Sequence, residues 1–131
     1  MHIRNLLEHR NLFVLVLAAT SVLTYLSLGT ISSPISSLSN SDKIGHAIAY
    51  FVFTCIWFAF LYFSKKLKYS FLKSILYSAM ICFGYGVLME IAQGIFTTYR
   101  YVELFDVLAN TSGIVIAVLF VFVLRLKIES I

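Results

Sequence analysis

The chain has 131 residues, of which 60% are hydrophobic and only 12% charged. A soluble domain carries roughly 25% charged residues, so this chain has about half the charge that a water-facing surface of its size needs. Soluble globular and intrinsically disordered classes are both excluded, because such a composition collapses or partitions into lipid. What remains is an integral membrane protein, with a formal net charge of +4 and no loop long enough to suggest nucleic-acid binding.

A bilayer core of about 30 Å needs roughly 20 apolar residues of helix. Four runs of that kind are predicted, at about 11–28, 44–63, 71–91 and 104–124, and together they leave only tails and three short connections. The expectation is an all-α, four-helix transmembrane bundle forming one domain over residues 1–131. A β-barrel would alternate polar and apolar residues over segments of about ten, and a run such as Val118-Leu119-Phe120-Val121-Phe122-Val123 does not. The first run exceeds the apolar stretch of about 7–15 residues in a secretory signal, and no A-x-A-like site follows it, so it reads as a retained anchor.

Orientation is read from the basic residues of short loops. Arg4, Arg10, Lys65, Lys66, Lys68, Lys73, Arg125 and Lys127 fall on one side, against Lys43 and Arg100 on the other. Both termini and the Lys-rich turn are therefore expected to be cytoplasmic, with the protein multi-pass in its membrane. His2 and His9 are expected to be solvated in the cytoplasmic tail.

Setting the cytoplasmic charges aside leaves Asp42, Lys43, His46, Glu90, Arg100, Glu103 and Asp106, all near the outer ends of the last three spans. Asp42, His46 and Tyr50 recur at i, i+4 and i+8 and share one helix face. Glu90 and Gln93 are i and i+3. Asp106, Asn110, Gly113 and Ala117 descend one face of the fourth span. A charged group facing lipid costs about 2.5–3.5 kcal/mol at the membrane centre and less near its ends, so the three stripes are expected to turn inward and form a polar pocket. Arg100 is placed to cover it and to pair with Glu90 or Asp106. Structural readings stand beside this one. Asp42, after Ser39, Asn40 and Ser41, suits an N-terminal cap. Gln93 and Asn110 suit interhelical hydrogen bonds, and Gly113 with Ala117 suits close helix packing. Cys55 and Cys82 read as small apolar residues.

The segment Asp42-Lys43-Ile44-Gly45-His46-Ala47-Ile48-Ala49-Tyr50 resembles the D-K-x-x-H-x-x-x-Y signature of VanZ-like membrane proteins. Glu90-Ile91-Ala92-Gln93, then Arg100, then the run from Asp106-Val107 through Asn110 to Gly113 are similar to that family's E-x-x-Q, R and D-V-x-x-N-x-x-G elements, in order. Members often have an acid where this chain has Met89, a Pro-Gly turn in place of Thr97-Thr98-Tyr99, and a second glycine in place of Ala117. The resemblance implies a four-helix envelope protein related to an accessory factor that raises resistance to the glycopeptide teicoplanin.

The outer cluster counts four acids (Asp42, Glu90, Glu103, Asp106) against Lys43 and Arg100, a formal −2 with His46 neutral. A bare phosphate site should be net positive. Either a divalent cation, the candidate cofactor, is held by His46, Glu90 and Asp106 and bridges to a phosphate, or the charges cancel pairwise and the cluster recognises a polar headgroup. Three functions follow. The first is an accessory factor that binds a membrane lipid or lipid-linked cell-wall precursor at the outer leaflet. The second is a small metal-assisted hydrolase or transferase acting on a lipid phosphate. The third, ranked lowest, is a transporter or proton relay.

Overall fold

The computed structural model describes residues 7–29, 39–98 and 101–130. Four long helices dominate: α1 (His9–Leu28), α2 (Ser39–Phe63), α3 (Phe71–Phe96) and α4 (Leu104–Val123), followed by a short α5 (Arg125–Glu129). All four long helices have the length and apolar composition to cross a membrane, and the described residues contain no strand. At about 1.5 Å of rise per residue, the twenty residues of α1 or α4 reach about 30 Å, one hydrocarbon thickness.

Two helices are longer than hydropathy suggests. The helix α2 begins at Ser39 rather than near Ile44, and α3 runs to Phe96 rather than stopping near Ile91. Hydropathy marks where lipid-compatible side chains end, but a helix continues as long as its backbone bonds are made. Glu90 and Gln93 are buried inside the bundle at 2% and 1% exposure, so their polarity does not interrupt α3. Asp42 consequently sits in the first turn of α2 and not before it.

Helix α2 packs against each of the other three long helices, and its most extensive partner is α4. Small residues permit that approach. A Cβ on Gly113 would collide with the backbone carbonyl of Ala47 and lie 3.0 Å from the backbone nitrogen of Phe51. On α3 the buried face is a ladder of small side chains, Ser74, Ser78, Cys82 and Gly86, ending in Glu90. Without a hydrophobic difference between helix and lipid, such close van der Waals contact is what holds spans together. Large residues then fill the wider gaps: Leu23, Tyr50, Phe53, Cys82 and Ile114 form one cluster, and Leu12, Val16, Phe60 and Leu61 another.

Hydroxyls inside the spans are satisfied locally. Thr20, Thr24, Thr54, Ser74 and Thr111 each donate to the carbonyl four residues back, at 2.7 to 2.9 Å. This matters where no water is at hand to accept. At the Lys65 end, His9 is half-buried, with Nδ1 2.6 Å from the Ser64 hydroxyl and its ring 5.5 Å from that of Phe60. The expected solvated tail histidine is thus a packing residue, because α1 starts at His9 and its first turn is already against α2.

The turn between α2 and α3 contains Lys68 at φ 50°, the only described non-glycine residue with positive φ. A non-glycine residue there carries strain of about 1 kcal/mol or more. Lys68→Gly is expected to raise the thermal midpoint of the detergent-solubilised protein slightly, since relief of that strain exceeds the added chain entropy of glycine. A lower midpoint would show that the lysine side chain contributes more than its backbone costs.

Candidate functional site

The first turns of α2 and α4 lie side by side at one end of the bundle, and each delivers polar groups. From α2 come Asp42, Lys43 and His46. From α4 and the residues leading into it come Glu103, Asp106 and Asn110. The ammonium of Lys43 is 3.1 Å from Asp106 Oδ1 and 3.2 Å from Glu103 Oε2, and lies 5.9 Å from the centre of the Phe105 ring. Asp106 is the buried member of that group, at 6% exposure. Its carboxylate also suits the positive end of α4.

One turn along α2, His46 Nδ1 is 2.9 Å from Asn110 Oδ1. An amide oxygen only accepts, so Nδ1 carries the proton and donates. His46 Nε2 is then turned toward Asp42 Oδ1, 3.9 Å away. Asp42, His46 and Asp106 each present one oxygen or nitrogen atom within 4.8 Å of the others, a geometry compatible with a metal ion.

Deeper in the bundle the polarity changes character. Tyr50 is 2% exposed, with its ring 6.2 Å from Phe53 and 6.5 Å from Tyr85. A Cβ built on Gly86 would sit 3.1 Å from the Tyr50 ring and 3.4 Å from Asn110 Nδ2. Tyr50, Gly86 and Asn110 therefore form the floor beneath His46. Asn110 is 3% exposed, and its Nδ2 has no hydrogen-bond partner among the described residues.

The remaining predicted residues go elsewhere. Gln93 Nε2 donates to the backbone carbonyl of Ser27, 2.9 Å away on α1, so it ties α1 to α3 rather than joining the cluster. Glu90 is buried on the small-residue face of α3. The metal trio expected from the sequence was His46, Glu90 and Asp106; the trio that the geometry assembles among the described residues has Asp42 in place of Glu90. The reason is chain geometry: Asp42 is one turn from His46 on the same helix, whereas Glu90 belongs to a third helix and points into its buried stripe. Arg100 and Tyr99 lie outside the described residues. The cation that Asp106 is seen to engage is Lys43.

Glu103, counted in the outer cluster from the sequence, shares Lys43 with Asp106. Two contributors escaped the sequence reading. Gly86, four residues before Glu90, lets Tyr50 and Asn110 reach α3. The first span, which adds no ionisable group to the outer cluster, supplies the Ser27 carbonyl and the Thr24 hydroxyl, which is 2.6 Å from Tyr85 Oη. Spacing on α3 was the available signal for Gly86; a backbone carbonyl leaves none.

The family model described as VanZ/LLP1 matches residues 4–125. No curated protein and no solved structure matches the chain.

Proposed function

The chain belongs to the VanZ/LLP1 family of membrane proteins, and from that premise we propose an accessory protein of the bacterial plasma membrane that binds a lipid or lipid-linked cell-wall component at the outer leaflet. Its Lys43 end faces outward in this reading, since the basic residues gather at the opposite end. Modulation of glycopeptide susceptibility is the associated cellular effect.

The observation that carries the reading is the meeting of α2 and α4 around Asp42, Lys43, His46, Asp106 and Asn110. Ionisable groups within membrane-spanning helices, such as the buried Asp106, are rare and mark places where a ligand or ion is handled. A lipid headgroup arriving in the plane of the outer leaflet would meet them at the level where they lie. Lys43 offers an ammonium held at the rim, and the imidazole and carboxylates offer acceptors for sugar or peptide hydroxyls and amides. A metal-assisted hydrolase or transferase on a lipid phosphate is the second reading, favoured by the Asp42–His46–Asp106 geometry.

Two experiments test this. Single Ala substitutions at His46, Glu90, Arg100 and Asp106 are scored for membrane abundance and for glycopeptide sensitivity of the host. The expected result is preserved abundance with altered sensitivity. Loss of abundance in all four would mean that the cluster only holds helices together. Orientation is tested with Glu103→Cys and Lys66→Cys and a membrane-impermeant maleimide on intact cells or spheroplasts. Glu103→Cys should label and Lys66→Cys should not; the reverse pattern would place the site on the cytoplasmic face and remove the outer-leaflet reading.

A further inference from the structure

We propose that Asp42, His46 and Asp106 bind one divalent cation of the Zn2+ or Mn2+ class, with Asn110 as the positioning residue that aims the histidine. The inference is independent of the lipid reading, since the cation site is complete within this chain.

The geometry comes first. The three donor atoms lie within 4.8 Å of one another. Around a tetrahedral cation with bonds of about 2.0–2.2 Å, two ligand atoms stand about 3.3–3.6 Å apart, so a pair as distant as 4.8 Å closes by about 1 Å, within reach of side-chain rotation. His46 Nδ1 donates to Asn110 Oδ1 at 2.9 Å, which leaves the Nε2 lone pair facing Asp42 Oδ1 at 3.9 Å. At that separation no direct hydrogen bond joins the two atoms, and a cation between them would be bonded to both. A ligating histidine whose other ring nitrogen donates to an oxygen acceptor is the usual arrangement at metal sites, where that partner sets tautomer and ring orientation.

Asn110 supplies an observation that the acids do not. It is 3% exposed, and its Nδ2 has no hydrogen-bond partner among the described residues. If interhelical adhesion were its task, an amide with half its capacity unmet would be a poor choice at this depth. Its carbonyl is used on His46, and the fold accepts the idle amide nitrogen to keep it there.

Charge points the same way. Asp42, Glu103 and Asp106 carry −3 and Lys43 +1, so the described cluster is −2 with His46 neutral. One dication balances it. One imidazole and two carboxylates match zinc or manganese better than magnesium or calcium, which prefer oxygen alone. Lys43 engages Asp106 through Oδ1, and its own charge opposes loading.

The test uses the full-length protein purified in detergent, stripped with chelator and titrated with Zn2+ or Mn2+. Metal content, calorimetry and Mn2+ electron paramagnetic resonance are the readouts. One equivalent per chain is expected. His46→Ala and Asp106→Ala should abolish stoichiometric binding, and His9→Ala should leave it intact. Asn110→Ala should weaken it about 10–100-fold with helix content unchanged. Lys43→Gln should tighten it, a direction that a merely structural ion pair would not produce. The proposal is overturned if the wild type takes up no stoichiometric metal, if His46→Ala binds as tightly as wild type, or if Lys43→Gln binds more weakly. A metal-free protein that still alters glycopeptide sensitivity would leave the lipid reading standing and remove only the cation.

Discussion

Gly113→Ala should destabilise the protein by about 3 kcal/mol or more, the upper end of the cost of overpacking, and lower its abundance in the membrane. The cause is specific. The added methyl would meet the Ala47 carbonyl and, at 3.0 Å, the Phe51 backbone nitrogen. Both belong to the backbone of α2, which cannot rotate aside as a side chain can. Relief requires moving α2 away from α4, the most extensive pairing in the bundle, and that displacement also separates His46 from Asn110 and Lys43 from Asp106. The same substitution at Gly86 provides the control. There the new methyl would meet Tyr50 Cε1 at 3.1 Å and Asn110 Nδ2 at 3.4 Å, side-chain atoms that can yield slightly. Gly86→Ala should therefore keep abundance while disturbing the floor of the site. Thermal unfolding in detergent, with membrane abundance beside it, separates the two. Equal losses at both positions would show that backbone contact at Gly113 is not what limits helix approach.

Gln93→Leu should cost about 1–3 kcal/mol and loosen the end of α1. The last four carbonyls of a helix have no acceptor role within it, and Ser27 lies in the final turn of α1. Its carbonyl is satisfied by Gln93 Nε2 at 2.9 Å, while the neighbouring Tyr25 carbonyl is taken by the Gly29 amide at 2.7 Å. Gln93 is thus a cap supplied by another helix, in a buried place at 1% exposure where water does not substitute. Gln93→Glu should be at least as damaging as Gln93→Leu when ionised, because it sets a carboxylate against a carbonyl and against the negative end of the α1 dipole. Amide exchange over residues 25–29 is the direct measurement. Unchanged protection in both variants would show that the Ser27 carbonyl finds another donor.

These two predictions lie where the site meets its scaffold. The Asp42, Lys43 and His46 cluster is held by the α2–α4 contact through Gly113, and α3 is braced against α1 by Gln93. A small-residue contact sets how near two helices come; a polar cap sets where a third one ends. The candidate site inherits its dimensions from both.

Much of this was present in the amino-acid order. The four spans follow from runs of about 20 apolar residues, because a bilayer imposes that length on any helix that crosses it. The buried face of α4 follows too: Asp106, Asn110, Gly113 and Ala117 are all buried as their spacing requires, since helical periodicity is local and a polar residue facing lipid is costly. Pairing between helices was decided only by tertiary structure. Nothing local distinguishes a Gln93 that joins the cluster from one that caps α1, or marks Lys43 as a partner of Asp106. Those outcomes depend on which helices touch, at what rotation and depth, and that in turn depends on glycines such as Gly86 and Gly113, whose importance lies in what their neighbours place against them. The exchange of Glu90 for Asp42 in the ligand trio has the same origin, because periodicity orders residues along each helix and only packing sets the distance between one helix and the next.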